Sequence, residues 1–239
     1  MIAQKWAIAA ILWLSLGLPN VATAQSASPG DAKPMIDPIA LYGPRVDYDI
    51  LRNGEKVGDH QISFSRRGDT IVTETRARIE VPFLFLIGYR FDYQSTSVWD
   101  GNILTDLTAR TNDDGDKSEV AILRENDELV VTGPTGTLTL DTALPPTEHW
   151  SLTFVQAPAV LNTITGHVNH ITTTKLGSAF VPAASGIIRA DRYRLDGDIR
   201  IETWYDPAGR WLGMRFAGED GSSIEYRCRD CPAQMAKAQ

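Results

Sequence analysis

A hydrophobic period of two, repeated run after run and broken at hairpin intervals, narrows what this chain can fold into. Val46, Tyr48 and Ile50 alternate with Asp47 and Asp49, and His60, Ile62 and Phe64 alternate with Gln61, Ser63 and Ser65. Ile71, Thr73, Thr75, Ala77, Ile79 and Val81 stand opposite Val72, Glu74, Arg76, Arg78 and Glu80. Tyr89, Phe91, Tyr93, Ser95, Ser97 and Trp99 form the longest stripe on one face. Successive strand side chains point to opposite faces, so this pattern describes half-buried antiparallel strands.

Turn signals separate the runs. They are Asn53-Gly54, Arg67-Gly68-Asp69, Asp100-Gly101-Asn102, Asp113 to Asp116, Asn126-Asp127, Gly133 to Gly136, Asp196-Gly197-Asp198, Asp206 to Gly209 and Glu219-Asp220-Gly221. Asn, Asp and Gly tolerate the positive φ of tight hairpins. The chain therefore reads as mainly β, an antiparallel meander of roughly ten or more strands. So long a sheet exposes edges and an apolar face unless it curls into a barrel or half-barrel. Trp150 to Thr165 lacks alternation and reads as one short irregular helix, interrupted near Pro158. Packed over a curled sheet, such a helix leaves an apolar concavity.

The front of the chain is an address. Lys5, the apolar stretch Trp6 to Leu18 and Ala22-Thr23-Ala24 make residues 1–24 a secretory signal peptide, cleaved after Ala24. The apolar run is too short to span a bilayer, so no transmembrane span is expected once it is removed. The expected compartment is the periplasm. Residues 25–44 and 232–239 read as flexible tails around a single β-domain over 45–231. The mature chain carries 22 basic and 30 acidic residues, a charge of −8, which repels phosphates and argues against a nucleic-acid partner.

Several segments point to a family. Leu161-Asn162-Thr163 with Thr165-Gly166, then Trp204-Tyr205-Asp206 followed by Gly209-Arg210-Trp211, then Asp220-Gly221-Ser222, together with the opening Tyr48 to Gly58, resemble an uncharacterised family of exported Gram-negative bacterial β-proteins. The resemblance covers most of residues 45–227 and implies no chemistry. In architecture alone the layout is similar to the half-barrel lipoprotein-localisation carriers of the periplasm, and fold does not imply function.

Candidate site residues are few. Pro82-Phe83-Leu84-Phe85-Leu86-Ile87 is an apolar run where a polar turn is expected. It reads either as a hydrophobic lip touching a lipid or partner, or as a strand buried on both faces. Phe83, Leu84, Phe85 and Leu86, with the stripe residues Tyr89, Phe91, Tyr93 and Trp99, are the candidate apolar-ligand residues. Cys228 and Cys231 form a C-x-x-C after the last run, read as a local disulfide that closes four residues and stabilises by roughly 2 kcal/mol. His167 and His170 have no zinc-like spacing relative to it, and His60 and His149 read as isolated structural histidines. Asn112, Asp114 and Asp116 lack the glycine and glutamate of a calcium loop. No nucleophile elbow, zinc-helix motif or phosphate loop is present. Neither metal nor cofactor is expected. The leading expectation is a non-catalytic carrier or binder of a lipid or other apolar ligand. An envelope protein-interaction module is the alternative, and an enzyme with an unrecognised site a third.

Overall fold

The computed structural model describes residues 37–83, 86–141, 144–183, 186–229 and 231. The signal-peptide reading over 1–24 and the C-terminal tail over 232–239 lie outside them. Fourteen strands form one antiparallel sheet that does not close. The first eight are β1 (Arg45–Arg52), β2 (Glu55–Arg67), β3 (Thr70–Phe83), β4 (Leu86–Asp100), β5 (Ile103–Asp113), β6 (Asp116–Glu125), β7 (Glu128–Gly133) and β8 (Gly136–Leu140). The rest are β9 (Ala159–Leu161), β10 (Val168–Ala183), β11 (Gly186–Gly197), β12 (Ile201–Tyr205), β13 (Trp211–Ala217) and β14 (Ser223–Cys228). Neighbours in sequence are neighbours in the sheet, except that β1 pairs with β14 at its middle and β8 and β9 are its two ends.

Turn chemistry sets the hairpins. At β1–β2, Asn53 and Gly54 both take positive φ, 51° and 88°, the pair that matches strand twist in a two-residue loop. The two ends of the sheet then meet. Ser118 Oγ donates to the Ile164 carbonyl at 3.1 Å, and Thr135 Oγ1 lies 2.9 Å from His167 Nε2. A single parallel bridge, Pro146 to Leu161, ties the chain leaving β8 to β9.

Two short helices replace the one expected. Pro38–Tyr42, α1, follows an Asp37 cap whose carboxylate accepts from Ile39 N at 2.9 Å. Residues 37–44, assigned from sequence to a tail, are thus a folded turn, and the Tyr42 hydroxyl donates to the Trp150 carbonyl at 2.6 Å. Thr153–Gln156, α2, is all that is helical in Trp150 to Thr165. Pro158 drives the preceding Ala157 into extended backbone, ψ 148°, and the chain continues as β9 rather than helix.

The segment after β8 fills the expected concavity. Trp150, Phe154 and Val155 are buried in one core cluster with residues from both halves of the sheet. Trp150 packs edge-on to Phe64 and Trp99, both at 5.5 Å between centroids. His149 stacks on Trp211 at 5.1 Å, and its carbonyl accepts from the Tyr205 hydroxyl at 2.8 Å. The barrel is plugged by its own chain.

Cys228 and Cys231 are bridged, with Cα atoms 5.7 Å apart. Both are buried, at 2% and 1% exposure. Free-thiol labelling of the denatured, unreduced protein should be near zero; two labelled thiols would reject the bridge. Because the sulfurs sit in the core, Cys→Ser at both sites should cost about 1–3 kcal/mol more than Cys→Ala, through buried hydroxyls without partners. Equal melting temperatures for the two double variants would contradict that placement.

Candidate functional site

Two places in the fold have the character of a site: the polar part of the interior, and the outer end of a long hairpin.

Inside, the inward positions of β3, β4 and β5 are small and hydroxylated where they face the plug. In register, Thr73 stands opposite Ser97, and Thr75 opposite Ser95, which in turn faces Ala109. Thr111 stands opposite Tyr93. Against this wall lies Glu148, only 6% exposed. Ser97 Oγ lies 2.9 and 3.1 Å from its two carboxyl oxygens, and Trp150 Nε1 donates at 2.8 Å. Trp99 Nε1 donates in turn to Ser97 Oγ at 3.0 Å. Burial outweighs these hydrogen bonds and raises the Glu148 pKa to about 7. Tyr93 donates to Thr163 Oγ1, which lies 3.0 Å from Thr147 Oγ1, so hydroxyls continue along the plug.

His60 and His149, isolated in sequence, converge on Trp211, with ring centroids 5.6 and 5.1 Å from it. Burial holds both neutral, lowering their pKa values to about 3 and about 4, and for His60 the nearby His149 adds to the shift. His167 and His170 are separated, the first beside Thr135 and the second beside Asp198. Among the described residues no group of three or more His, Cys, Asp or Glu is placed to hold a metal ion.

The residues chosen from sequence divide. Tyr93 and Trp99 lie in the core, and Phe91 is partly buried against it. Tyr89 lies at the edge of this region, where burial and a hydrogen bond with Asp113 raise its pKa. The apolar run is no loop between strands: β3 continues to Phe83 and β4 starts at Leu86, with Phe83 paired to Leu86 and Pro82 to Ile87. Pro82 falls at a register shift, the position a sheet tolerates for it. Leu84 and Phe85, and the side chains of Phe83 and Leu86, lie outside the described residues.

The second apolar end was missed from sequence. β10 and β11 form a hairpin at the opposite end of the sheet from β3–β4, and it carries Phe180 at 74% and Ile187 at 75% exposure. Pro182 pairs with Ile187, and residues two apart share a face, so Phe180, Pro182 and Ile187 form one outward patch. Beyond the three residues that pair with β9, Val168 to His170, the outer edge of β10 has no neighbouring strand among the described residues. Lys175, the register shift at Gly177 and Pro182 guard that edge. The sequence signal was Phe180-Val181-Pro182 followed by Ile187-Ile188, the same Val-Pro grammar as Val81-Pro82.

The residues that carried the family resemblance build structure. Asp206 and Arg210 form a buried ion pair, with side chains 0% and 9% exposed. Asp206 also accepts from the backbone N–H of Ala208 and Arg210 at 2.8 and 2.9 Å. Asn162 accepts from Ile164 N and Thr165 N, and Trp211 is fully buried.

Among solved structures, the chain is similar to a β-barrel-like protein from Brucella abortus, itself a domain of unknown function (DUF1849). The identity is 15% and the TM-score 0.56, over 77% of this chain and 94% of that one, which shows a common fold. No curated protein matches. Residues 48–229 match the domain of unknown function DUF6134, and the chain belongs to that family.

Proposed function

We propose that this protein is an exported, periplasmic binding protein that engages a lipid surface or another apolar ligand from outside its barrel. The observation that carries the reading is the apolar patch at the end of β10–β11, where Phe180 and Ile187 are three-quarters exposed on one face. Large apolar side chains grouped on a protruding hairpin mark contact with something apolar. The plug of Trp150 and Phe154 favours the outside of the barrel over its interior as the ligand-facing surface. The apolar run Phe83 to Ile87 at the other end gives the protein a second candidate contact.

The test is flotation with neutral phospholipid vesicles. Phe180→Asp with Ile187→Asp should weaken association on the order of tenfold or more, since burying such side chains contributes about 1.5–3 kcal/mol each. Because both are exposed, stability should change by no more than about 0.5 kcal/mol per site. Failure of the unaltered protein to float, or flotation untouched by the double variant, would overturn this reading. The long open edge of β10 favours a second reading, an envelope protein that adds a strand there. A co-purifying polypeptide lost on Thr174→Pro would support it.

A further inference from the structure

The interior contains an acidic group with no cation beside it. Glu148 is held by a serine and a tryptophan, both neutral, and neither side nor floor of its surroundings supplies a Lys or Arg contact. An ionised carboxylate withdrawn from water is costly unless something positive accompanies it. Meanwhile the wall beside it carries oxygen atoms with nothing to do. Thr73 Oγ1, Thr75 Oγ1 and Thr111 Oγ1 are buried without a hydrogen-bond partner among the described residues, and their residues are 0%, 5% and 5% exposed. Thr73 stands directly opposite Ser97, the residue that holds both Glu148 oxygens. Cross-strand neighbours lie about 5 Å apart, a spacing that one small species can bridge.

We propose that this chamber binds a single monovalent cation, alkali or ammonium, between the Glu148 carboxylate and the wall hydroxyls. The charge count selects the class. One carboxylate balances one positive charge, and hydroxyl oxygens are neutral ligands of the hard type that such ions accept. A divalent ion would leave a net positive charge in the core. The titratable groups facing Glu148 do not supply the missing charge: Tyr93 stays neutral, with its pKa raised to about 12, and the adjacent His149 is neutral above about 4.

The experiment is thermal unfolding of the full protein at pH 8 in sodium, potassium or ammonium chloride, against tetramethylammonium chloride at equal ionic strength. That bulky ion screens charge without fitting a chamber walled by side chains. At least one small cation should raise the melting temperature by several degrees, with a saturating dose dependence. The rise should vanish in Glu148→Gln and at pH 5, where Glu148 is protonated. Thr73→Val, which keeps shape and removes one oxygen, should raise the half-saturating concentration about tenfold. Equal response to all four salts would mean screening or bound water only and would overturn the proposal. So would a rise that persists unchanged in Glu148→Gln.

Discussion

Asp206→Ala should destabilise the fold by about 3–5 kcal/mol, the usual consequence of leaving one partner of a buried ion pair behind. Arg210 would remain with its side chain 9% exposed and no carboxylate. The β12–β13 turn would also lose its acceptor for the N–H groups of Ala208 and Arg210. For a chain of this size the melting temperature should fall by roughly 10 °C. Arg210→Met in the same background should recover part of the loss, because the stranded charge is gone while its apolar stem still packs. Measured by denaturant unfolding, the double variant should therefore be more stable than Asp206→Ala alone. Additive losses would show that the two side chains act independently, contrary to their geometry.

The stability of the protein should have a maximum near neutral pH, and Glu148→Gln should remove its alkaline slope. The Glu148 pKa is raised from the usual 4.5 to about 7. The folded state therefore holds this proton where the unfolded state has lost it, so its contribution is complete below 4.5 and lost as pH rises to about 7. The difference is worth on the order of 3 kcal/mol. His60 and His149 act with the opposite sign. Their pKa values fall from 6.5 to about 3 and about 4, so the unfolded state gains protons first and stability drops as pH falls below 6.5. Between 6.5 and 4.5 two histidines work against one glutamate, and the net effect of acid is loss. In tetramethylammonium chloride at pH 8, Glu148→Gln should melt roughly 6–12 °C above the unaltered protein, and close to it at pH 4.5. Parallel stability curves across that range would contradict a buried, proton-holding Glu148.

Much of the fold was legible because it is local. Each of the nine Asn, Asp or Gly turn signals falls at a junction between consecutive strands, from Asn53-Gly54 to Glu219-Asp220-Gly221. The two long hairpins without such signals were the ones misread or passed over. At Phe83 to Leu86 apolar residues run straight through the hairpin end. Along β10 the register shift between Lys175 and Gly177 breaks the period of two. The interior site was not legible, since nothing periodic surrounds Pro145-Pro146-Thr147-Glu148. That Glu148 points inward is decided by partners such as Ser97, 51 positions away. The hydroxyls Thr73, Thr75, Ser95 and Ser97 could be read as one-face positions, but not as a wall facing a carboxylate. Asp206 and Arg210 were visible only as part of a family pattern, without the burial that gives them their role.

The pairing of β1 with β14 sets an order of events for the newly made chain. Tyr48 meets Cys228 and Arg52 meets Ile224 across the middle of the sheet, so the first strand waits for the last. Until some 180 residues have followed it, β1 has its hydrogen-bonding edge open, and closing so distant a contact is entropically slow. The β1–β8 run can zip hairpin by hairpin, and so can β9–β14, but the two arms join only when the C-terminal strand arrives. A chain cut short before Ser223 would keep most of its hairpins and present an aggregation-prone edge where the finished protein has the centre of its sheet.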